Sequence, residues 1–170
     1  MSRHLYVLRH AKSSWDDPGL DDHERPLAPR GLRSVHVLAE HLERHDIHPT
    51  LVLCSTARRT RETLEAVSPS GKRLIEPELY GASGPDLLER LRQIPDHAES
   101  VMVIGHNPAM QTLVLRLADP AQDGAVLPVV QRKFPTGALA TLTFECGWSE
   151  LEPRCARLTD FTKPRSLASS

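Results

Sequence analysis

The sequence predicts an α/β fold, a three-layer α/β/α sandwich around a mostly parallel central sheet. Three observations carry that prediction. Apolar runs at 4–9, 51–54 and 101–104 lack polar alternation, as strands covered on both faces do. Helix-period segments lie between them. Turn residues then separate strand from helix in regular alternation, the signature of a layered α/β domain.

The elements follow in chain order. The first run ends at Arg9 and His10. A helix is predicted over 31–45, where Leu32, Val35, Leu38, Ala39 and Leu42 keep helical spacing and Pro49 marks the stop. The second strand leads through Cys54 and Ser55 into a helix over 59–67. A third helix, 85–94, has Ser83 as cap and Leu87, Leu88 and Leu91 on its inner face. After the third strand come Gly105, His106 and Asn107, with Pro108 opening a helix to about 118. A loop over 119–135 precedes two alternating segments, 138–144 and 155–161, predicted as late strands, antiparallel at an edge. One domain is expected over 1–162, with a flexible tail at 163–170.

Composition excludes several classes. The 170 residues suit one domain, and the net charge of −1 with 4% aromatics argues against a general nucleic-acid binder. No stretch approaches the roughly 18 apolar residues of a membrane span, so a cytoplasmic protein without membrane association is expected. The three cysteines, Cys54, Cys146 and Cys155, lack metal-type spacing and read as reduced and structural. His41 and His45 stand four apart on a helix, but Glu43 is misplaced for a metalloprotease motif; they read as surface histidines.

Chemistry concentrates at the strand ends, where ligands of open α/β sheets gather. Arg9 and His10, then Arg58 and Arg59, then His106 would meet at one mouth. Guanidinium forks match phosphate oxygens, and a neutral imidazole can attack phosphorus. His10 is the expected nucleophile. Arg9, Arg59 and a protonated His106 would meet the charge on the transferring group, so no metal or cofactor is required. Ser13 and Asn107 are candidate phosphate or substrate ligands, Asn107 equally a helix cap. Arg58 and Arg61 read as a solvated helical face. Cys54 before arginines invites a cysteine-phosphatase reading, but that signature has five residues between Cys and Arg, and the residue at that place is Thr60.

Arg9, His10 and Ala11 resemble the Arg-His-Gly signature of the histidine phosphatase superfamily, which implies the phosphoglycerate-mutase-like fold, with Ala for Gly as in SixA-type phosphohistidine phosphatases. Lys12 to Trp15 resemble its post-histidine loop, and Arg25, Pro26, Leu27, Arg30 and Gly31 the segment opening its first helix. Ser55, Arg59 and Thr63 match its Ser, Arg and Thr at intervals of four, selecting Arg59 over Arg58. Gly105, His106 and Asn107 resemble its second histidine motif, and residues 134–140 its SixA-type ending. The resemblance implies a phosphohistidine intermediate on His10 in a pocket of Arg9, Arg59 and His106.

One departure concerns the general acid that esterases of the superfamily carry before a Tyr-Gly or Phe-Gly pair. Here Tyr80 and Gly81 follow Glu76 and Glu78 without clean alignment; Glu78 is the candidate acid, with Asp21, Asp22 and Glu24 as alternatives. A phosphohistidine needs such an acid least, because its imidazole can leave neutral. The expected substrate is a phosphorylated protein, such as a histidine-phosphotransfer domain. A small phosphate ester is the alternative, as is a catalytically weak phosphate-sensing module. Oligomeric state is left open.

Overall fold

The computed structural model describes residues 2–122 and 125–168. Six strands form one sheet: β1 (Arg3–Arg9), β2 (Leu51–Ser55), β3 (Lys72–Glu76), β4 (Ser100–Gly105), β5 (Leu139–Phe144) and β6 (Arg157–Thr162), in the order β3-β2-β4-β1-β5-β6. The first four are mutually parallel. β5 runs antiparallel to β1, and β6 antiparallel to β5. The late strands thus form the antiparallel edge expected of them.

Strand alternation divides the interior into two cores. Leu5 and Val7 of β1 with Val101 and Val103 of β4 meet Leu87, Leu88 and Leu91 of α3 (Gly84–Arg92) and Leu113 and Val114 of α4 (Ala109–Leu117). Leu127 and Val130 of α5 (Val126–Arg132) join that face. Tyr6, Leu8, Met102 and Ile104 point the other way, onto Val35, Leu38 and Leu42 of α1 (Pro29–Arg44) and Leu64 and Val67 of α2 (Arg58–Val67). Burial on both faces explains why these strands read as unbroken apolar runs.

Local chemistry sets the helix ends. Ser83 Oγ accepts from the Asp86 amide at 3.2 Å while the Asp86 carboxylate accepts from the Ser83 amide at 3.0 Å, a reciprocal capping box. α1 buries Gly31, Val35, Leu38, His41 and Leu42. Two expectations change here. Leu32 is 43% exposed, because it falls one position off that stripe. His41 is not a surface residue: it is buried, its ring 4.3 Å from that of His45.

Three further differences have physical causes. β3 was not expected; as an edge strand it keeps Lys72, Arg73 and Ile75 exposed and carries no apolar run. α5 lies inside the expected loop 119–135, too short for a periodic signal. Within the segment expected as a tail, Pro164–Ala168 forms a helical turn, α6, beside α1, with Leu167 packed on the α1–α2 core. Residues 169–170 lie outside the described residues. No helix among the described residues is long and apolar enough to cross a membrane.

Candidate active site

The carboxyl ends of β1, β2 and β4 bring four expected residues together. His10 follows β1, and both sides of the strand fix its backbone: the His10 amide donates to the Gly105 carbonyl at 3.1 Å, and the Gly137 amide donates to the carbonyls of Arg9 and His10 at 3.1 and 2.9 Å. Gly137 has φ +77°, in the left-handed region that glycine enters without cost. On the other side, the Ala11 amide donates to Thr63 Oγ1, whose hydroxyl donates to the Arg59 carbonyl one turn earlier in α2. Thr63 thereby ties the histidine loop to the helix that carries Arg59.

His10 is 6% exposed, and its Nδ1 lies 2.7 Å from the Ala11 carbonyl. A carbonyl only accepts, so Nδ1 carries the proton and Nε2 keeps its lone pair. Burial, with the His106, Arg59 and Arg9 charges adding to it, pushes the His10 pKa down to about 3 despite the opposing Ala11 bond. The ring is neutral at pH 7.

The His106 ring centroid lies 5.3 Å from that of His10, the planes at 54°. Its Nε2 pairs with the fully buried Ser55 Oγ at 2.9 Å, and Ser55 Oγ also accepts from the Ala57 amide. Burial first, then Arg59, pushes the His106 pKa down to about 4. The expectation of a protonated His106 is therefore corrected for the protein alone: nearby guanidinium groups favour the neutral ring.

Arg9 Nη1 donates to the Phe134 carbonyl at 3.0 Å, and burial lowers its pKa, with Arg59 adding to the effect. Arg59, 7% exposed, donates from Nη1 to the Asp22 carbonyl at 2.7 Å and from Nη2 to the Asp22 carboxylate at 3.0 Å. Arg58 and Arg61 do face outward, Arg58 to Glu62 at 3.1 Å and Arg61 to the Thr56 carbonyl at 2.8 Å.

The remaining candidates all have partners within the protein. Asn107 Nδ2 donates at 2.9 Å to the same Phe134 carbonyl that Arg9 holds, and its Oδ1 accepts from the Gln111 amide at 3.2 Å, so its side chain ties the first turn of α4 to the wall of the pocket. Ser13 Oγ accepts from Arg25 Nη2. Glu78 lies exposed on a single turn of 3-10 helix and acts electrostatically on Arg90, while Glu76 holds Arg90 through two contacts of 2.8 Å. Neither acid reaches the histidines through a hydrogen bond among the described residues.

Sequence reasoning missed a second layer around Asp22. Its carboxylate accepts from Tyr80 Oη, Arg59 and Arg25, and the Tyr80 hydrogen bond, ahead of the two arginines, holds its carboxyl far below the usual range. Tyr80 meets His106 edge-on at 5.5 Å and His23 at 4.8 Å. Arg25 is buried, donates to the Ser14 carbonyl and stacks over Trp15 at 3.2 Å from the ring centre. The Tyr80-Gly81 pair and the Arg25-Pro26-Leu27 segment were the available signals. Among the described residues no group of three or more His, Cys, Asp or Glu is arranged to hold a metal ion.

Comparison with known proteins agrees with this fold. The sequence profile of the histidine phosphatase superfamily (branch 1) matches residues 5–79. The uncharacterized protein Rv1276c of Mycobacterium tuberculosis is 37% identical over 159 residues, 93% of this chain and 100% of its own length. Phosphohistidine phosphatase SixA of Escherichia coli K12 is 28% identical over 148 residues, 83% of this chain and 85% of its own. A solved structure from Nakamurella multipartitia, described as a candidate phosphohistidine phosphatase SixA, superposes with a TM-score of 0.85 at 31% identity, covering 96% of this chain and 97% of that one.

Fold, pocket and likeness together define a phosphatase domain acting on a phosphorylated substrate. More particularly, the chain belongs to the histidine phosphatase superfamily, and within it to the SixA type.

Proposed function

We propose that this protein hydrolyses phosphohistidine on a protein through a covalent intermediate on His10, with Arg9, Arg59 and His106 binding the transferring phosphoryl group. The observation that carries the reading is the state of His10: neutral, its Nδ1–H tied to the Ala11 carbonyl, its Nε2 lone pair free in a pocket of cations. In the first step Nε2 bonds to phosphorus as the substrate P–N bond breaks. The substrate imidazole, protonated at its other nitrogen, leaves neutral. In the second step a water oxygen attacks phosphorus, the P–Nε2 electron pair returns to the ring, and the water proton passes to solvent as phosphate departs.

Arg9 Nε and His106 Nδ1 are buried without a hydrogen-bond partner among the described residues, which supports their use as donors to phosphoryl oxygens. A dianion there would also favour the protonated form of His106. The P–N preference rests on the carboxylates. Asp22 is held ionised and Glu76 is paired with Arg90, so neither is poised to protonate an alkoxide.

The test is rapid quench with a ³²P-labelled phosphohistidine protein. An acid-labile, base-stable label on His10, absent in His10→Ala, is the expected result. Turnover with no covalent label, or a label on another side chain, overturns the mechanism. Faster turnover of a simple alkyl phosphate than of phosphohistidine overturns the substrate.

A further inference from the structure

Beside the catalytic mouth, α1, α6 and the segment leading into β5 enclose a groove of about 760 Å3. Its charged lining is Lys12, Arg30, Arg33, Lys133, Lys163 and Arg165, with no Asp or Glu. None of the six forms a side-chain ion pair or hydrogen bond among the described residues, whereas most other arginines do, including Arg25, Arg58, Arg59, Arg73, Arg90 and Arg92. In a chain of net charge −1, six unpaired cations around one groove are a local concentration that average composition does not account for.

The groove belongs to the same end of the sheet as His10. Lys12 lies two residues beyond the nucleophile, and its carbonyl accepts from Ala28 at the start of α1. Thr136 immediately precedes Gly137, the residue whose amide holds the Arg9 and His10 carbonyls. Lys163 follows β6, which runs parallel to β1 because each is antiparallel to β5.

We infer that this groove docks an acidic protein surface flanking the phosphorylated residue, and so selects a macromolecular substrate. The inference rests on the phosphohistidine-protein reading and adds the means of recognition. The side chains favour a protein over a small polyanion. Five of the six cations are exposed and none is braced by a partner, so they do not form the fixed donor set a second phosphate subsite needs. Several exposed charges spread along an open groove suit a surface of dispersed carboxylates, attracted at a distance and screened by salt.

The test uses the full chain with Arg33→Glu and Arg165→Glu combined, and the milder pair Arg33→Gln and Arg165→Gln. The first measurement is affinity for an unphosphorylated histidine-phosphotransfer domain of net negative charge, at 50 and 300 mM salt. The second is kcat/KM for p-nitrophenyl phosphate, whose leaving group needs no acid. The expected result is salt-sensitive binding that weakens at least tenfold in the Glu pair and less in the Gln pair, with p-nitrophenyl phosphate turnover within twofold of the parent.

Binding that is insensitive to both pairs overturns the inference. So does failure of the parent to bind the domain while the Glu pair selectively loses activity on a bisphosphate, which would assign the groove to a small polyanion. If the parent binds the domain through the groove but does not dephosphorylate its phosphorylated form, the docking inference stands and the phosphohistidine reading fails.

Discussion

Asp22 grips Arg59 at two points, its backbone carbonyl accepting from Nη1 at 2.7 Å and its carboxylate from Nη2 at 3.0 Å. The same carboxylate accepts from Tyr80 and Arg25, so one loop acid orders the cationic wall of the pocket. That arrangement has two opposed electrostatic effects. The carboxylate orients Arg59, and it also opposes any dianion that approaches the same guanidinium.

Asp22→Asn separates the two. The asparagine keeps the main-chain contact to Nη1 and a neutral acceptor for Nη2, while the opposing charge disappears. Orthophosphate should then inhibit about three- to tenfold more tightly at pH 7, an increment of roughly 1 kcal/mol as expected for removing one partly screened like charge. Competitive inhibition constants check this. Weaker phosphate binding would instead assign Asp22 wholly to orienting Arg59.

Stability should fall on acidification from neutrality because of the two pocket histidines. His10 at about 3 and His106 at about 4 lie below the ordinary 6.5, so between 6.5 and those values the unfolded chain binds more protons. The contribution is full above about pH 6.5 and is lost as pH falls through 4 and then 3. Each pH unit within that window costs about 1.4 kcal/mol per histidine. Denaturant unfolding at pH 7, 6 and 5 measures the slope, and His10→Asn should lower it by about one proton. An unchanged slope would show that His10 titrates alike in both states.

The pocket was legible in the sequence because Arg9, His10 and His106 sit at strand ends and Arg59 in the first turn of a helix, positions that apolar runs locate to within a residue or two. Asn107 was less so. Whether its amide caps α4 or meets a ligand depends on where the Phe134 carbonyl stands, and that carbonyl comes from a segment remote in the chain. Asp22 was one of three loop acids with Asp21 and Glu24, and only the approach of Arg59, Arg25 and Tyr80 distinguishes it. β3 escaped for a different reason: at the sheet edge, Lys72 and Arg73 can remain in solvent, so burial imposes no apolar pattern on them.

Ser55 should act on turnover through His106. Its Oγ is fully buried between the His106 ring and the Ala57 amide, and it touches no other described side chain by hydrogen bond. Ser55→Ala removes the contact that orients the ring and should lower kcat roughly tenfold to a hundredfold, with KM changed little. The orphaned Ala57 amide should also cost about 1–3 kcal/mol of stability. Steady-state kinetics separates the effects, because a purely structural role would leave kcat per folded molecule unaltered.

Gly137 joins stability to site geometry at one backbone position. Its amide is held by the Arg9 and His10 carbonyls, and its φ of +77° lies where a side chain is strained. A Cβ there would stand 2.7 Å from Pro164 Cγ, so Gly137→Ala must both strain the backbone and push against the start of α6. The conformational part alone should cost about 1–2 kcal/mol. Relief by rotating toward negative φ would break the two hydrogen bonds that fix the nucleophile's main chain. Denaturant midpoints should therefore fall, and kcat of the folded fraction should fall with them. Lost stability with unaltered kcat would mean that the Ala11 and Gly105 contacts hold His10 without help from this turn.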